Sequence, residues 1–316
     1  RRTLGPFQLM MLGIGAIIGT GIFVLTSVGA ERAGPGLMLS FLIAGTVCAF
    51  AALAYAELAS MIPVAGSAYN YSYGVMGELV AWIVGWNLIL EYAVAASAVA
   101  VGWSGYMDGL LKSWGVNLPA AFTAGYFDRK GGGFGTGAGV VNLLAVGIVA
   151  VVCALLVRGT RESAAVNTVL VAVKLVALGF FVVIALPNVD WANFSPFMPF
   201  GFLSHEVFDP TLNADVSKGV MAAAALIFFA YVGFDAVSTA AEETRDPNRN
   251  VPLGLIGSLA ICTVIYLLVA AGAVGTMPTE ELKMSKEPLA EVLRNLGFRR
   301  IGDLIGVAAV LALRPV

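Results

Sequence analysis

Long uncharged, apolar stretches alternate along the chain with short polar connections. A helix needs roughly 20 residues to cross a hydrocarbon core of about 30 Å. Residues 3–30, 33–56, 131–157 and 250–279 contain no Asp, Glu, Lys or Arg, and each predicts a transmembrane helix. Three further runs carry one internal charge each: Glu91 in 79–107, Lys174 in 163–189 and Asp235 in 219–241. A last apolar run, 304–313, is too short to cross. The expectation is therefore seven complete helices and the start of an eighth, as in a fragment of a longer protein. The first run has full spanning length and no small-residue cleavage site, so it predicts a span and not a leader.

Composition agrees with this pattern. Hydrophobic residues make up 59% of the chain and charged residues 12%, about half the charge usual in soluble domains. Mean hydropathy is +0.88, which predicts an integral membrane protein. A net charge of −2 supplies no basic field for nucleic acid. Cys48, Cys153 and Cys262 each fall in an apolar run, offer neither a disulfide framework nor metal-ligand spacing, and read as small packing residues. The only histidine, His205, lies in a connection and reads as solvated. An intramembrane protease would need paired aspartates, a Ser–His dyad or a metal set, and only Asp235 lies deep in a span, so the chain does not read as an enzyme. No cofactor or metal is implied.

The connections differ in character. Residues 58–78 hold Pro63, Gly66 and the alternating Tyr69, Tyr71 and Tyr73, a spacing that suits an interfacial aromatic belt. Residues 187–217 are rich in Pro and Phe, and 275–300 form a charged segment with the makings of an amphipathic surface helix. Counting Lys and Arg on the two sides does not settle the orientation.

Within the first span, GIGAIIGTGIF places Gly13, Gly15, Gly19 and Gly21 in nine positions. A dinucleotide fingerprint would need a preceding strand and a βαβ unit, which this chain does not predict. Packing through a GxxxG face remains open, yet residues 13 and 21 point away from the face shared by 15 and 19. Each glycine costs roughly 1 kcal/mol against alanine inside a helix, so four of them predict a helix whose middle unwinds. Unwound backbone at membrane depth must meet protein, water or a ligand. Five spans later FFAYVGFDAVSTAAEE repeats the theme, with Gly233 and Asp235 near mid-span of a helix running the opposite way. Interrupted helices in matching positions of an inverted repeat point to a transporter site. Amides opening the second half of helix 1, at Thr20 and Gly21, would face an anion, and carbonyls ending the first half would face a cation. A zwitterionic amino acid carries both charges.

The motifs GIGAIIGTGIF, PVAGSAYNY, ILEY, WANFSPFMPFGF and FFAYVGFDAVSTAAEE, in that order, resemble the amino acid-polyamine-organocation superfamily, in particular its bacterial cationic amino acid transporter branch. The resemblance runs from Arg1 to Arg314. It implies an all-α polytopic membrane protein with an inverted five-plus-five helix fold, discontinuous helices 1 and 6, a cytoplasmic N-terminus and alternating access. Residues 1–189 would hold helices 1 to 5, the first repeat. Residues 190–316 would hold an extracellular loop, helices 6 and 7 and the start of 8, an incomplete second repeat. By the same resemblance Thr20 and Gly21, next to Gly19, would bind the substrate carboxylate. The carbonyls of Ile17 and Phe229, with Ala230, Val232 and Gly233 beside them, would accept from its ammonium. Phe229 and Phe234 are candidates for an apolar gate or side-chain pocket.

An ionised side chain inside a span costs roughly 2.5 to 3.5 kcal/mol on insertion scales, which makes Glu91, Lys174 and Asp235 functional candidates, with pairing between helices as the structural alternative. Lys174 resembles the helix 5 lysine of proton-coupled relatives, which reaches a helix 1 carbonyl where sodium-coupled relatives bind sodium. Loss of its proton would then release helix 1. Glu91 would relay protons or neutralise Lys174, and Asp235 would neutralise a charge, contact a cationic side chain or shape the helix 6 break. Glu57, Glu78, Glu242 and Glu243 read as interfacial. Together these features predict a multi-pass cell-membrane permease that moves neutral or cationic α-amino acids with protons, its partners being substrate, protons and the lipid bilayer. A proton-independent exchanger and a non-transporting sensor are the alternatives, and no feature of the sequence sets the oligomeric state.

Overall fold

In lipid a backbone must satisfy its own hydrogen bonds, which is why the apolar runs of this chain become helices. The structure, a computed structural model, describes residues 4–62, 64, 66–125, 127–130, 133–136, 139–157, 164–209 and 214–312. The first run is two helices, α1 (Pro6–Ile17) and α2 (Thr20–Ala33). A turn at Gly34–Gly36 leads into α3 (Leu37–Met61), then α4 (Ser67–Met76) and the long α5 (Glu78–Ser113). After a single turn, α6 (Ala120–Thr123), come α7 (Leu143–Val157) and α8 (Ala164–Ala185). The sixth run breaks into α9 (Val220–Ile227), a 3-10 turn at Phe228–Tyr231, and α10 (Ala236–Thr239). It is followed by α11 (Pro247–Thr276), α12 (Thr279–Leu282), α13 (Pro288–Asn295) and α14 (Arg299–Ala312).

Among the described residues five segments are long and apolar enough to cross a membrane: Thr20–Met61, Glu78–Ser113, Val171–Asn188, Val220–Thr239 and Pro247–Thr276. Pro6–Ile17 and Leu143–Ala154 are apolar but shorter, the first because the helix stops at Ile18.

Several expectations are corrected. The chain is not wholly helical: β1 (Phe127–Lys130) pairs antiparallel with β2 (Gly133–Thr136), and β3 (His205–Asp209) with β4 (Ala214–Lys218). Both hairpins lie in connections, where water can satisfy an edge strand. The charge-free run 131–157 is helical only from Leu143, because its glycine-rich start lacks the apolar side chains that make burial in lipid favourable. Tyr69 and Tyr73 are exposed as a belt requires, but Tyr71 is buried against Tyr55, with ring centroids 6.0 Å apart. Cys48 and Cys262 are buried, whereas Cys153 is exposed on α7. In the segment 275–300, α13 does carry an apolar face, burying Leu289, Ala290, Val292 and Leu293. Residues 1–3, Pro63, Arg158 and Arg161 lie outside the described residues.

The core gathers around α11, which packs on α1, α3 and α8. Phe41, Tyr231 and Tyr266 form an aromatic centre, with Tyr266 5.5 Å from Phe41 and 5.3 Å from Tyr231. The Tyr231 hydroxyl donates to the Phe41 carbonyl at 3.0 Å, satisfying its one polar atom. Where the chain enters α1, Leu4 forms a parallel bridge to Thr244: its amide donates to Glu243 O at 3.0 Å, and the Arg245 amide donates to Leu4 O at 2.9 Å.

Candidate functional site: the crossing of two interrupted helices

The two interruptions touch. A Cβ on Gly21 would fall onto the Cα of Ala230 and lie 2.5 Å from its Cβ. A Cβ on Gly233 would lie 2.8 Å from the Ala16 carbonyl oxygen, and Gly233 has φ +111°, a backbone region that L side chains avoid. The start of α2 therefore sits on the 3-10 turn of the second broken helix, and the end of α1 sits on Gly233, in the break between that turn and α10. Gly19 differs from both: a Cβ there would meet nothing within 4 Å, so it faces open space.

Around that space polar groups are left over. Ile18 still donates to Ile14 O at 2.9 Å, but Thr20, Gly21 and Ile22 open α2 and have no carbonyl one turn back inside their helix. The Thr20 side chain is 4% exposed, and its Oγ1 finds no partner among the described residues. On the carbonyl side, Lys174 of α8 reaches in, its Nζ donating to Gly15 O at 3.1 Å and to Ile18 O at 3.0 Å. It is 6% exposed, a buried cation held by the carbonyl ends of α1. Phe229 O accepts from the Val232 amide at 3.2 Å. Phe229 is half-buried, and Phe234 is buried edge-on against Tyr55 at 5.6 Å.

Sequence reasoning missed one residue at this crossing. The hydroxyl of Tyr266, fully buried on α11, lies 2.8 Å from Ile17 O and 3.0 Å from Ala230 O, one carbonyl from each interruption. A hydroxyl has a single proton, so it donates to one carbonyl at a time. The available signal was a tyrosine deep in a charge-free run, where its O–H needs an acceptor. Tyr266→Phe removes the one proton that the two carbonyls share, and leaving a buried acceptor unmet costs about 1 to 3 kcal/mol. The expected result is a lower thermal midpoint for the purified protein, and an unchanged midpoint would count against the staple.

The three charges of the apolar runs do not form one group. Asp235 is 8% exposed, and its Oδ2 accepts from Ser67 Oγ at 3.3 Å and Tyr92 Oη at 3.2 Å. Glu91, on an exposed face of α5, is close enough to Asp235 to feel its charge. No ion pair joins Lys174 to Glu91 or Asp235 among the described residues. Carbonyl oxygens, not a carboxylate, surround the lysine. His205 is exposed, its Nδ1 3.3 Å from Leu203 O.

The amino acid permease family model matches residues 4–313 of the chain. The chain belongs to the amino acid permease family. It is 46% identical to a branched-chain amino acid permease of Bacillus subtilis (strain 168) over 316 residues, covering 100% of this chain and 64% of that protein. A methylthioribose transporter of the same organism is 43% identical, with 100% and 64% covered. Cationic amino acid transporter 4 of Homo sapiens is 34% identical, with 100% of this chain and 47% of the relative covered. The chain spans less than two thirds of the length of these relatives. They are named as transporters and permeases, not enzymes. Family membership and the apolar helices together make this permease-family chain a multi-pass membrane protein.

Proposed function

We propose that the full protein binds α-amino acids at the crossing of its interrupted helices and carries them across the cell membrane by alternating access, coupled to protons. The observation that supports this is the open space at Gly19 beside the crossing: the opening amides of α2 have no carbonyl one turn back in their helix, the buried Thr20 hydroxyl has no partner among the described residues, and the carbonyls of Ile17 and Ala230 share the single proton of Tyr266. The positive end of α2 favours a carboxylate, and carbonyl ends favour an ammonium. In that arrangement Gly19, Thr20 and Gly21 take the carboxylate, while Ile17, Phe229, Ala230 and Val232 take the ammonium. Gly233 keeps the second break open, and Phe229 and Phe234 supply the apolar walls. Residues 1–189 and 190–316 would be the first repeat and the start of its inverted partner, which puts the two breaks in equivalent positions.

Proton coupling is assigned to Lys174, with Asp235 and Glu91 as a second proton-accepting pair. A charged Lys174 ties the end of α1 to α8, and deprotonation would untie it. Exchange without protons is the second possibility, since a lysine already satisfied by two carbonyls also suits a cation that never titrates.

The test is uptake of labelled leucine, alanine and arginine by the full-length protein in sodium-free proteoliposomes, with and without an inward proton gradient, and with methylthioribose as competitor. Gradient-driven accumulation of an amino acid is expected. Gradient-independent counterflow would assign an exchanger, and binding without uptake a sensor. Methylthioribose has neither ammonium nor carboxylate, so its transport in place of every amino acid would overturn recognition through the two breaks.

A further inference from the structure

The helix α5 meets α2 at two successive turns. Tyr106, fully buried on α5, donates to Phe23 O of α2 at 2.7 Å, and the two rings meet edge-on with centroids 5.9 Å apart. One turn earlier on α5 the contact is made by a missing side chain. A Cβ on Gly102 would lie 2.6 Å from Cγ2 of Thr20 and 3.0 Å from Cγ2 of Val24. Gly102 is a buried helical residue with no positive φ, so what it contributes is room and not an unusual backbone. The methyl of Thr20 takes that room.

Thr20 departs from what threonines elsewhere in the spans do. Thr26, Thr46, Thr263 and Thr276 each donate to the carbonyl four residues back, at 2.6 to 2.8 Å, the usual way for such a hydroxyl to be satisfied inside a helix. For Thr20 the residue four back, Ala16, belongs to α1 on the other side of the break. Its Oγ1 is buried and has no partner among the described residues, which is costly until a ligand takes the proton up. A threonine Cβ has three staggered positions, so seating the methyl in one of them decides where the hydroxyl points.

We propose that Gly102 is a positioning residue: by leaving room for the Thr20 methyl, it fixes the rotamer that keeps the Thr20 hydroxyl free to donate to the substrate carboxylate. The proposal rests on the reading of Thr20 as a carboxylate contact given above. A hydroxyl held in place donates to a charged acceptor without first giving up rotamer freedom, and hydrogen bonds to an ionised partner are the strong ones.

The test is a cycle of substitutions in the full-length protein, read as KM for uptake of labelled leucine, alanine and arginine in proteoliposomes. Gly102→Ala pushes the methyl out of its seat and the hydroxyl turns with it, so KM is expected to rise at least about tenfold, as for loss of one hydrogen bond to a charged group. Combined with Thr20→Ser, which removes the methyl and keeps the hydroxyl, KM is expected to return to within about threefold of the parent, the spread of three staggered wells. Thr20→Val separates positioning from packing, because it keeps the methyl and lacks the hydroxyl. By itself it is expected to raise KM at least about tenfold, and adding Gly102→Ala to it is expected to change KM by less than about twofold further. A glycine that served only to pack α5 on α2 would strike the valine methyl as it strikes the threonine methyl. An equal rise from Gly102→Ala on both backgrounds therefore overturns the proposal, as does failure of Thr20→Ser to restore KM. A parental KM in Thr20→Val takes the hydroxyl out of binding and overturns the proposal, while the α2 amides keep their assignment. A parent that moves none of the three amino acids overturns the function itself, and this proposal with it. Should Gly102→Ala not be recovered from membranes, the cycle is run on Val24→Ala, which removes the second contact at 3.0 Å, with the same expected outcomes.

Discussion

Lys174→Met is expected to abolish gradient-driven uptake, with initial rates about a hundredfold or more below the parent. Lys174 is the donor to two carbonyls at the interruption of helix 1, Gly15 O and Ile18 O. Methionine fills the same volume and donates to neither. Unsatisfied peptide groups at membrane depth cost several kcal/mol, and every 1.4 kcal/mol is a factor of ten in a population. The end of α1 is then driven into conformations that find other donors, and the coupled cycle loses its tied state. Uptake and counterflow measured side by side separate the roles. Loss of both marks Lys174 as essential to the cycle, and loss of accumulation alone marks it as the coupling group. Retention of full gradient-driven uptake in Lys174→Met would remove Lys174 from the mechanism. Lys174→Arg is expected to fail as well, because the longer, planar guanidinium does not replace a compact ammonium at a position this buried.

The second large effect comes from the glycines, which separate by position. Gly21→Ala is expected to give a protein that is poorly folded or inactive, since its methyl would occupy the backbone of Ala230 and pry the two interrupted helices apart. Overpacking a close contact of this kind costs about 1 to 3 kcal/mol or more. Gly19→Ala meets no protein atom within 4 Å, so it is expected to fold and reach the membrane normally. Its methyl instead enters the space assigned to substrate, raising the apparent KM at least about tenfold through lost binding. Size-exclusion profiles and uptake kinetics of the two variants make the comparison. A Gly19→Ala protein with parental KM would move substrate away from this gap.

How much of this was visible in the sequence depends on range. Clustered glycines are a local signal, and they fall where α1 gives way to α2 and where the 3-10 turn at Phe228–Tyr231 gives way to α10. Intramembrane charge is also local, so Glu91, Lys174 and Asp235 stood out by their cost alone. Their partners did not. Asp235 takes hydrogen bonds from Ser67, 168 positions away, and from Tyr92, 143 away, and nothing in the spacing of Asp235 announces either. Tyr266 was hidden by the opposite problem, because a single hydroxyl in an apolar run fits a membrane interface as readily as a buried contact. β2 was missed because absence of charge was read as presence of helix from residue 131 onward, and β3 and β4 because they fall at the end of a connection read only for its Pro and Phe content. Arg294 of α13 pairs with Glu287 and with Asp303 of α14, and in sequence the three look like ordinary surface charges because the pairing appears only when the two helices pack together.

The bridge between Leu4 and Thr244 is made of peptide groups alone, which makes it silent to the usual genetic probes. Alanine at Leu4 or Glu243 leaves the amide and carbonyl where they were, so a side-chain scan would pass over this end of the bundle and score it as unimportant. Its contribution is written in a part of the polymer that every residue but one shares. Proline lacks the donor, so only proline at 4 or 245, or a backbone ester introduced chemically, would sever it, and tolerance maps built from the other substitutions will carry a blind spot where the N-terminal helix is tethered.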